Sequence, residues 1–330
     1  MADKKKALVT GANGFIGSHL AEELVLRGWE VSCLVRRPHG LGWIESLEVR
    51  LLRGDCRDKP TLGPAVEGVD CVFHLAGVIN SLKWEEYYQS NVVGTRNLLE
   101  ACSERNPGLK KFIHVSSISA AGPSEKGRAL TEADPERPVS DYGRSKLAAE
   151  EAVREYGGRF PCVIIRPPNI IGPRQRELQG AIRLIKKRIK PVVGTGEPQT
   201  SLCYVRDVVE ALILAAERPE ADGRTYFLAD PKPYAWSDIT DAVQEALGIR
   251  RIVLKVPYRI QWLAAAASEA AARLTGRKPK LTRTSILAAR KYYWIYDGSR
   301  IKRELGFEPR TGLKDAVRET IDWYQAHGGI

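Results

Sequence analysis

The stretch Thr10-Gly11-Ala12-Asn13-Gly14-Phe15-Ile16-Gly17 decides the fold. It lies between a short apolar run, Ala7 to Thr10, and a segment of helical periodicity, Ile16 to Arg27. Glycines at a strand-to-helix turn allow a tight bend and a close approach of the backbone to a phosphate, while the helix N-terminus supplies N–H donors and a positive dipole. The stretch therefore predicts the pyrophosphate site of a bound dinucleotide.

Apolar runs of strand length alternate with helical segments along the chain. The predicted strands are Ala7 to Thr10, Val31 to Val35, Cys71 to Leu75, Lys111 to Ser116, Pro161 to Arg166 and Thr225 to Leu228, and the predicted helices include Ile16 to Arg27, Asn91 to Ser103 and Ser140 to Tyr156. This alternation is typical of βαβ units, and strands rich in Val, Ile and Leu are expected where helices cover both faces of a parallel sheet.

We therefore expect an α/β fold, a Rossmann-type doubly wound parallel sheet with a smaller C-terminal α/β lobe. Residues 1–168 are predicted to form the dinucleotide-binding domain and residues 169–330 the substrate-binding lobe. Late strands from about 200–230 are expected to join the sheet, so that the two parts interleave.

The composition indicates a globular protein made and kept in the cytoplasm. The chain has 330 residues, 43% of them hydrophobic, and its first apolar strand begins within seven residues of the N-terminus, which leaves no room for a signal peptide. The six cysteines are scattered without a C-x-x-C pair or a suitable histidine spacing, so they are expected to be reduced core residues and no metal site is predicted.

The formal net charge of +11 is concentrated in two stretches. Between Ala270 and Tyr296 there are seven Lys or Arg and no acid, and the cluster from Arg174 to Lys190 contains only Glu177 as an acid. A solvated basic face, an anionic cofactor or substrate, and a membrane surface all fit this pattern. Nucleic acid is disfavoured because these stretches hold few aromatic residues and no nucleic-acid motif.

The segment Arg259 to Thr275 has apolar residues on one helical face. These residues are Ile260, Leu263, Ala264, Ala267, Ala271 and Leu274. Its longest uncharged stretch is too short to cross a bilayer. An ordinary helix that packs over the active site is the favoured interpretation, and peripheral contact with an anionic membrane is the alternative.

The end of the second predicted strand bears on the cofactor. An NAD site places an acid there to hold the ribose hydroxyls, but Val31 to Val35 is followed by Arg36 and Arg37. A guanidinium suits a 2′-phosphate through paired charge-assisted hydrogen bonds. NADP(H) is therefore favoured, and NAD is the alternative if both arginines are only solvated loop residues.

Tyr142-Gly143-Arg144-Ser145-Lys146 places a phenol and an ammonium group four residues apart, on one face of a predicted helix. The spacing alone is weak evidence. Its context is stronger, because the helix follows a strand that ends in Val115-Ser116-Ser117. In a parallel sheet such a serine lies at the carboxyl edge, where ligands bind.

The order of these motifs resembles the extended short-chain dehydrogenases/reductases, the NAD-dependent epimerase/dehydratase superfamily. The resemblance runs from Lys6 to about Gly172 and also rests on Asp55 after Gly54, on His74-Leu75-Ala76-Gly77, on Asn91-Val92-Val93-Gly94-Thr95 and on the run Arg166 to Pro173. It implies a cofactor site formed by Gly11, Asn13, Gly14, Phe15, Ile16 and Gly17 at the pyrophosphate turn, Asp55 at the adenine, Leu75, Ala76 and Gly77 towards the ribose, Pro167 and Ile170 near the nicotinamide, and Tyr142 with Lys146. Arg36 joins this site on the separate ground of its position after the second strand.

The same resemblance implies the catalytic roles. Ser117 matches the catalytic serine, Tyr142 the general acid or base, and Lys146, with the oxidised nicotinamide, the positive charge that lowers the phenol pKa. The region of Asn91 is expected to support a proton path. Val78, Ser119 and Asn169 are the substrate candidates. His74 and His114 are instead expected to be core residues.

Three features narrow the branch of the family. Ser117-Ile118-Ser119-Ala120 stands where the sugar-nucleotide dehydratases carry Thr-Asp-Glu, and Thr200 with Ser201 stands where epimerases usually have an arginine for the substrate diphosphate. The run Trp294 to Asp297 resembles the 3β-hydroxysteroid dehydrogenase and dihydroflavonol reductase branches, whose substrates are bulky and apolar.

The preferred hypothesis is an NADP(H)-dependent oxidoreductase that interconverts a ketone and a secondary alcohol on a bulky, largely apolar small molecule. The enzyme is expected to be a homodimer. A nucleotide-sugar epimerase with tightly bound NAD is the alternative. A non-catalytic NADP-binding redox sensor is a minor one, because sensors of this type typically lose the Tyr and Lys that are retained here.

Overall fold

The computed structural model describes residues 4–37, 39–190, 198–249, 254–275 and 281–330. The strands are β1 (Lys6–Thr10), β2 (Glu30–Val35), β3 (Arg50–Arg53), β4 (Cys71–His74), β5 (Lys111–Val115), β6 (Cys162–Arg166), β7 (Asn169–Ile171), β8 (Ile189–Lys190), β9 (Gln199–Thr200), β10 (Leu202–Tyr204), β11 (Thr225–Phe227), β12 (Tyr234–Ala235) and β13 (Leu254–Lys255). The α-helices are α1 (Phe15–Leu26), α2 (Gly63–Val66), α3 (Trp84–Tyr87), α4 (Gly94–Arg105), α5 (Ile118–Ala121), α6 (Asp141–Glu155), α7 (Arg176–Lys186), α8 (Val205–Glu217), α9 (Trp236–Ala246), α10 (Tyr258–Thr275), α11 (Arg283–Lys291), α12 (Ser299–Leu305) and α13 (Leu313–Ala326).

Seven parallel strands form the central sheet, in the order β11-β6-β5-β4-β1-β2-β3. The strand order reverses between β1 and β4, so ligands are expected at the carboxyl ends of these two strands. Apolar side chains of α1 and α8 cover one face of the sheet, and those of α4 and α6 cover the other. The expected Rossmann-type doubly wound fold is confirmed.

The sequence pattern does not indicate β3. This strand lies at the edge of the sheet, beside β2, and only its Leu52 is partly buried, since Leu51 is exposed. Edge strands bury one side only in part, so the apolar run that marks a central strand is missing. All six strands that the sequence does predict are present in the sheet.

Three two-stranded sheets lie outside the central sheet: β7 with β10, β9 with β12 and β8 with β13. Residues of α7, α9 and α13 form a further hydrophobic core with β7 and β10. Of the late strands expected between residues 200 and 230, β11 is the seventh strand of the central sheet, whereas β10 pairs with β7 outside it. Ile301 and Leu305 of α12 and the following Phe307 pack into the core of the central sheet, and a division into two domains at residue 168 stays a prediction.

Helix α10 differs from its expected packing. Its buried residues are Ala265, Glu269 and Ala272, whereas the apolar face that the sequence defines is exposed at Ile260, Leu263 and Leu274. Within the residues that the structure describes, no helix combines the length and the apolar character that crossing a membrane requires. All six cysteines are buried and free.

Candidate active site

The glycine turn between β1 and α1 leaves no room for side chains. Gly11 has a φ of 70°, and a Cβ there would meet the backbone N of Ala76 at 2.9 Å. A Cβ on Gly17 would lie 2.2 Å from the carbonyl oxygen of Gly11. Helix α1 begins after Gly14 with no side-chain cap and no acid in its first turn, so its N–H groups and dipole suit a pyrophosphate. Phe15 and Ile16 turn inward to the cores on either side.

The edge of the sheet beyond β2 is basic. Arg36 and Arg37 are exposed directly after β2, and Arg53 ends the neighbouring β3. Asp55, the candidate for adenine binding, accepts three side-chain hydrogen bonds from Arg57, at 2.7 to 3.2 Å. These bonds, opposed by partial burial and helped by the nearby Arg36, hold the pKa of the Asp55 carboxyl below its ordinary value. Sequence analysis missed Arg57, because no family motif marks it.

A buried chain of hydrogen bonds fixes the end of β4 against β1. Thr10 Oγ1 accepts from the N–H groups of Leu75 and Ala76, at 3.2 and 3.1 Å. Its own proton is therefore directed to Nδ1 of His74, 2.8 Å away. The other ring nitrogen, Nε2, then donates to Thr95 Oγ1 at 2.9 Å. Burial lowers the pKa of His74 to about 3, so the ring is neutral, as a core residue should be.

Ser117 and Tyr142 meet at the carboxyl end of β5. Tyr142, in the first turn of α6, lies close enough to the Ser117 side chain for that hydroxyl to lower the pKa of its phenol. Ser117 Oγ also accepts the backbone N–H of Ser119 at 3.1 Å and so caps α5. The two adjacent serines have different partners. The hydroxyl of Ser116 donates to the buried carboxylate of Glu150 and does not take part in the cap of α5.

Lys146 lies one turn after Tyr142 on the same helix. Its Nζ donates to the carbonyl oxygen of Val115 at 2.7 Å, which ties α6 to the end of β5. Burial lowers the pKa of the Lys146 ammonium to about 8, and the charge of Glu150 opposes this shift. Burial raises the pKa of Tyr142 to about 12, although the Ser117 hydroxyl acts in the other direction. Desolvation therefore opposes the lowering of the phenol pKa that is expected from Lys146 together with the oxidised nicotinamide, and that lowering stays a prediction.

Asn91 joins the two halves of the site. It lies in a π-helical turn, Tyr88–Val93, of the kind often found at functional sites. Its Oδ1 accepts the N–H of Val78 at 2.7 Å, and its Nδ2 donates to the carbonyl of Val78 at 3.0 Å and to Ser145 Oγ at 2.9 Å. Ser145 in turn donates to the carbonyl of Tyr142. These contacts give Asn91 a positioning role, while a proton path through it stays a prediction.

A buried ion cluster supports α6 from behind. Arg166, at the end of β6, donates to both carboxylate oxygens of Glu150, at 2.9 and 2.6 Å, and to Glu136 at 2.9 Å. Arg154 also donates to Glu150, at 2.9 Å. Glu150 is fully buried and lies one turn after Lys146, so this cluster sets the charge beside the lysine. Sequence analysis gave no role to Glu150 or Arg166.

Each substrate candidate has a separate partner. Val78 is held by Asn91, and the backbone of Ser119 is held by Ser117. Asn169 is exposed at the start of β7, and its Nδ2 donates to Thr200 Oγ1 at 2.7 Å. The neighbouring cofactor candidates are Ile170, paired with Cys203 on β10, and Pro167, whose carbonyl accepts the N–H of Ile118 at 3.1 Å.

The match to known proteins covers this whole site. The model of the NAD dependent epimerase/dehydratase family matches residues 7–229, which include the glycine turn, Ser117, Tyr142 and Lys146. The chain belongs to this family. The expectation of an NAD(P)-dependent enzyme of the extended short-chain dehydrogenase/reductase type is therefore confirmed.

Three relatives show the range of the family. A 4-hydroxy-2-methyl-3-oxo-4-farnesyl-3,4-dihydroquinoline-1-oxide ketoreductase from Stigmatella aurantiaca is 31% identical over 95% of this chain and 96% of its own. The decarboxylating sterol-4-alpha-carboxylate 3-dehydrogenase of Homo sapiens is 26% identical over 97% of this chain and 88% of its own. The solved structure of MoeE5 with UDP-glucuronic acid and NAD has a TM-score of 0.78 and 26% identity, and it covers 98% of this chain and 99% of its own. An oxidoreductase of this family thus follows, while the substrate differs among relatives.

Proposed function

We propose that the chain is an NADP(H)-dependent oxidoreductase that interconverts a ketone and a secondary alcohol on a bulky, largely apolar substrate. The observation that carries the proposal is the environment of Thr200 and Ser201, which are 4% and 1% exposed. Ser201 Oγ accepts the N–H of Tyr296 at 3.0 Å, and Thr200 is engaged by Asn169. Where epimerases of the family usually present an arginine to the substrate diphosphate, this chain has buried, hydrogen-bonded hydroxyls.

The loop after β4 supports an apolar substrate. Val78 is held by Asn91 beside the catalytic helix, and the residues that follow expose Ile79, Leu82 and Trp84. An apolar wall with few polar groups is what a pocket for a hydrophobic molecule needs. The names of two relatives agree with this chemistry, since one is a ketoreductase of a farnesyl-bearing quinoline and the other a sterol dehydrogenase.

The residues of the chain can orient and protonate a carbonyl. The bound nicotinamide cofactor would supply the hydride in reduction and accept it in oxidation. Ser117 would donate a hydrogen bond to the substrate oxygen, and Tyr142 would pass its proton to that oxygen. A phenol whose pKa is about 12 is protonated at neutral pH, so Tyr142 is suited to act as the acid in ketone reduction. Lys146 would hold positive charge near the phenolate that remains.

Substitution of the phenol tests this assignment. Tyr142→Phe keeps the ring, so we expect nearly unchanged NADP(H) affinity and a turnover number lower by about 10² or more. Tyr156→Phe, at the end of the same helix, is the matched control and should keep the parent turnover. A Tyr142→Phe variant with parental turnover and an unchanged pH profile would show that the proton comes from another group.

The cofactor preference is tested by calorimetric titration of NADPH and NADH. A charge-assisted hydrogen bond to a phosphate contributes about 1.5–3 kcal/mol, so NADPH should bind at least about tenfold more tightly. Arg36→Ala should remove most of this difference. Arg50→Ala is the control, because Arg50 is also exposed but lies at the amino end of β3, beside Ser32 and away from the carboxyl end of β2 that Arg36 follows. Equal affinities in the parent, or tighter binding of NADH, would contradict the preference.

The substrate class is tested by a screen of hydrophobic ketones and alcohols, with UDP-sugars in parallel. The likeness to MoeE5, whose structure holds UDP-glucuronic acid and NAD, favours an enzyme of nucleotide sugars as the second candidate, and the epimerase is the alternative of this kind. Reduction of hydrophobic ketones with NADPH consumption would support the proposal. Epimerisation of UDP-sugars without net cofactor turnover, with every hydrophobic ketone inert, would establish the epimerase instead. Cofactor binding with no turnover of any compound would favour the redox sensor.

A further inference from the structure

Helix α10 exposes its large apolar residues and buries a charged one, which is the reverse of the usual arrangement. A helix of a globular protein normally turns its apolar face to the core. The buried positions of α10, Ala265, Glu269 and Ala272, are three and four residues apart and form one face. Ile260 and Leu263 project from the opposite side of the helix, and they are 55% and 61% exposed. The burial of α10 therefore leaves its large apolar residues in solvent.

The exposed apolar surface continues beyond these two residues. Leu274, on the same face near the end of α10, is 88% exposed, and the alanines between them are small and uncharged. Leu281, just before α11, and Leu287, within α11, are also exposed, although Arg283 of α11 contacts α10 from its buried side, at Glu269. The exposed apolar face is that of α10, and exposed apolar residues grouped on one face usually mark a surface that another body covers. We call the exposed faces of α10 and α11, residues 258–275 and 281–291, the hairpin surface.

The charge of the hairpin surface is almost entirely positive. Its exposed cations are Arg259, Arg273, Arg283, Arg290 and Lys291. Glu269, the single acid in the sequence from Leu254 to Tyr296, is buried and paired with Arg283 through a 2.9 Å contact. No acid of this stretch is therefore presented to a partner. Arg283 and Arg290 lie over the rings of Trp262 and Tyr258, at 5.4 and 4.3 Å, which holds α11 beside α10.

We propose that the hairpin surface docks the protein peripherally on an anionic lipid bilayer. An interfacial helix combines apolar residues that enter the headgroup boundary with cations that meet anionic lipid, and α10 has both. A second copy of this chain fits less well, because a symmetric contact through this surface would bring the same arginines against one another. Docking needs no membrane-spanning helix, and it does not depend on the identity of the substrate.

Co-sedimentation with vesicles tests the docking. The parent protein should pellet with vesicles that contain phosphatidylglycerol at low salt, pellet less at high salt, and pellet weakly with pure phosphatidylcholine. Leu263→Glu and Leu274→Glu should each weaken binding about tenfold or more, because a leucine that would enter the bilayer on docking is replaced by a charge. Arg259→Gln and Arg273→Gln should each weaken binding about fivefold, and only with phosphatidylglycerol present.

Leu26→Glu is the matched control. Leu26 is 76% exposed at the end of α1, so its substitution adds the same charge outside the hairpin surface and should leave vesicle binding unchanged. Circular dichroism and NADPH binding verify that each variant is folded. No pelleting of the parent at low salt overturns the proposal, as does equal pelleting of the leucine variants and the parent. A concentration-dependent dimer that Leu263→Glu dissociates would also overturn it, because a second copy would then cover the surface.

Discussion

The approach of α6 to α5 depends on Gly143, and a methyl group there should disable the enzyme. Gly143 lies between Tyr142 and the rest of the catalytic helix, and an added Cβ would be 2.3 Å from the carbonyl oxygen of Ser119. The same Cβ would lie 3.1 Å from the side chain of Pro138. The Ser119 carbonyl belongs to the backbone and the Pro138 Cβ to a closed ring, so neither can rotate away. Gly143→Ala must therefore displace the helix.

The size of the displacement follows from these contacts. To restore even a very short contact of 3.0 Å, α6 and the Ser119 carbonyl must separate by about 0.7 Å. Tyr142 moves with α6, whereas Ser117 stays with β5, so the distance between them increases. Misplacement of a catalytic group by 1 Å can cost about 10² in rate. Overpacking costs about 1–3 kcal/mol and alanine regains up to about 1 kcal/mol of helix propensity, so the fold should survive.

Steady-state kinetics with the substrate found by the screen, together with NADPH titration, measures this effect. Gly143→Ala should lower the turnover number by about 10² with little change in NADPH affinity. Gly180→Ala, in α7 with open space around the added methyl, should keep the parent activity. If Gly143→Ala also keeps the parent turnover, the reasoning that this contact sets the Ser117–Tyr142 geometry is wrong.

Two further changes probe the buried polar groups. Glu150→Gln removes the charge that raises the pKa of Lys146, so this pKa should fall below about 8. The alkaline limb of the kcat/KM profile should then move to lower pH, and the exposed control Glu151→Gln should leave it in place. Glu150→Gln should also lower the free energy of unfolding by up to about 3–5 kcal/mol, because Arg166 loses a buried partner. Both ring nitrogens of His114 are buried without a hydrogen-bond partner, so His114→Leu should raise the free energy of unfolding by about 1–3 kcal/mol, measured as a higher Tm.

The stability difference between His114→Leu and the parent should depend on pH. Burial holds the pKa of folded His114 well below its ordinary value of 6.5, so below pH 6.5 the unfolded chain binds a proton that the folded chain does not. Stability should therefore fall as pH falls through 6.5, and less steeply in His114→Leu than in the parent. Urea unfolding at pH 7.5 and 5.5 measures this difference, and an equal loss in both proteins would contradict it.

The sequence predicted six of the seven strands of the central sheet, the glycine turn and the roles of Ser117 and Tyr142, because each depends on local pattern or on a family motif. It could not predict the contacts that hold those parts in place. Thr10 reaches His74 across 64 positions, and Asn91 reaches Ser145 across 54. Such partners meet only when the sheet forms, and no periodicity records them. The desolvation that raises the pKa of Tyr142 could not be predicted for a related reason, since burial depends on the whole fold.

The hairpin surface shows a different limit of sequence analysis. Periodicity correctly placed Ile260, Leu263 and Leu274 on one helical face, yet periodicity is the same whether that face meets the core or another body. What distinguishes the two cases is the opposite face. There, Glu269 stands between Ala265 and Ala272, and a carboxylate is buried only when a cation or hydrogen-bond donors meet it. Arg283 provides that cation and a backbone N–H at 2.7 Å, so the polar side of α10 can face inward and the apolar side remains outside. If the buried Glu269–Arg283 pair sets this orientation, Glu269→Leu should turn α10 over or loosen it. Trp262 lies beside the buried face and under Arg283, so either change would appear as increased exposure of Trp262 to a fluorescence quencher.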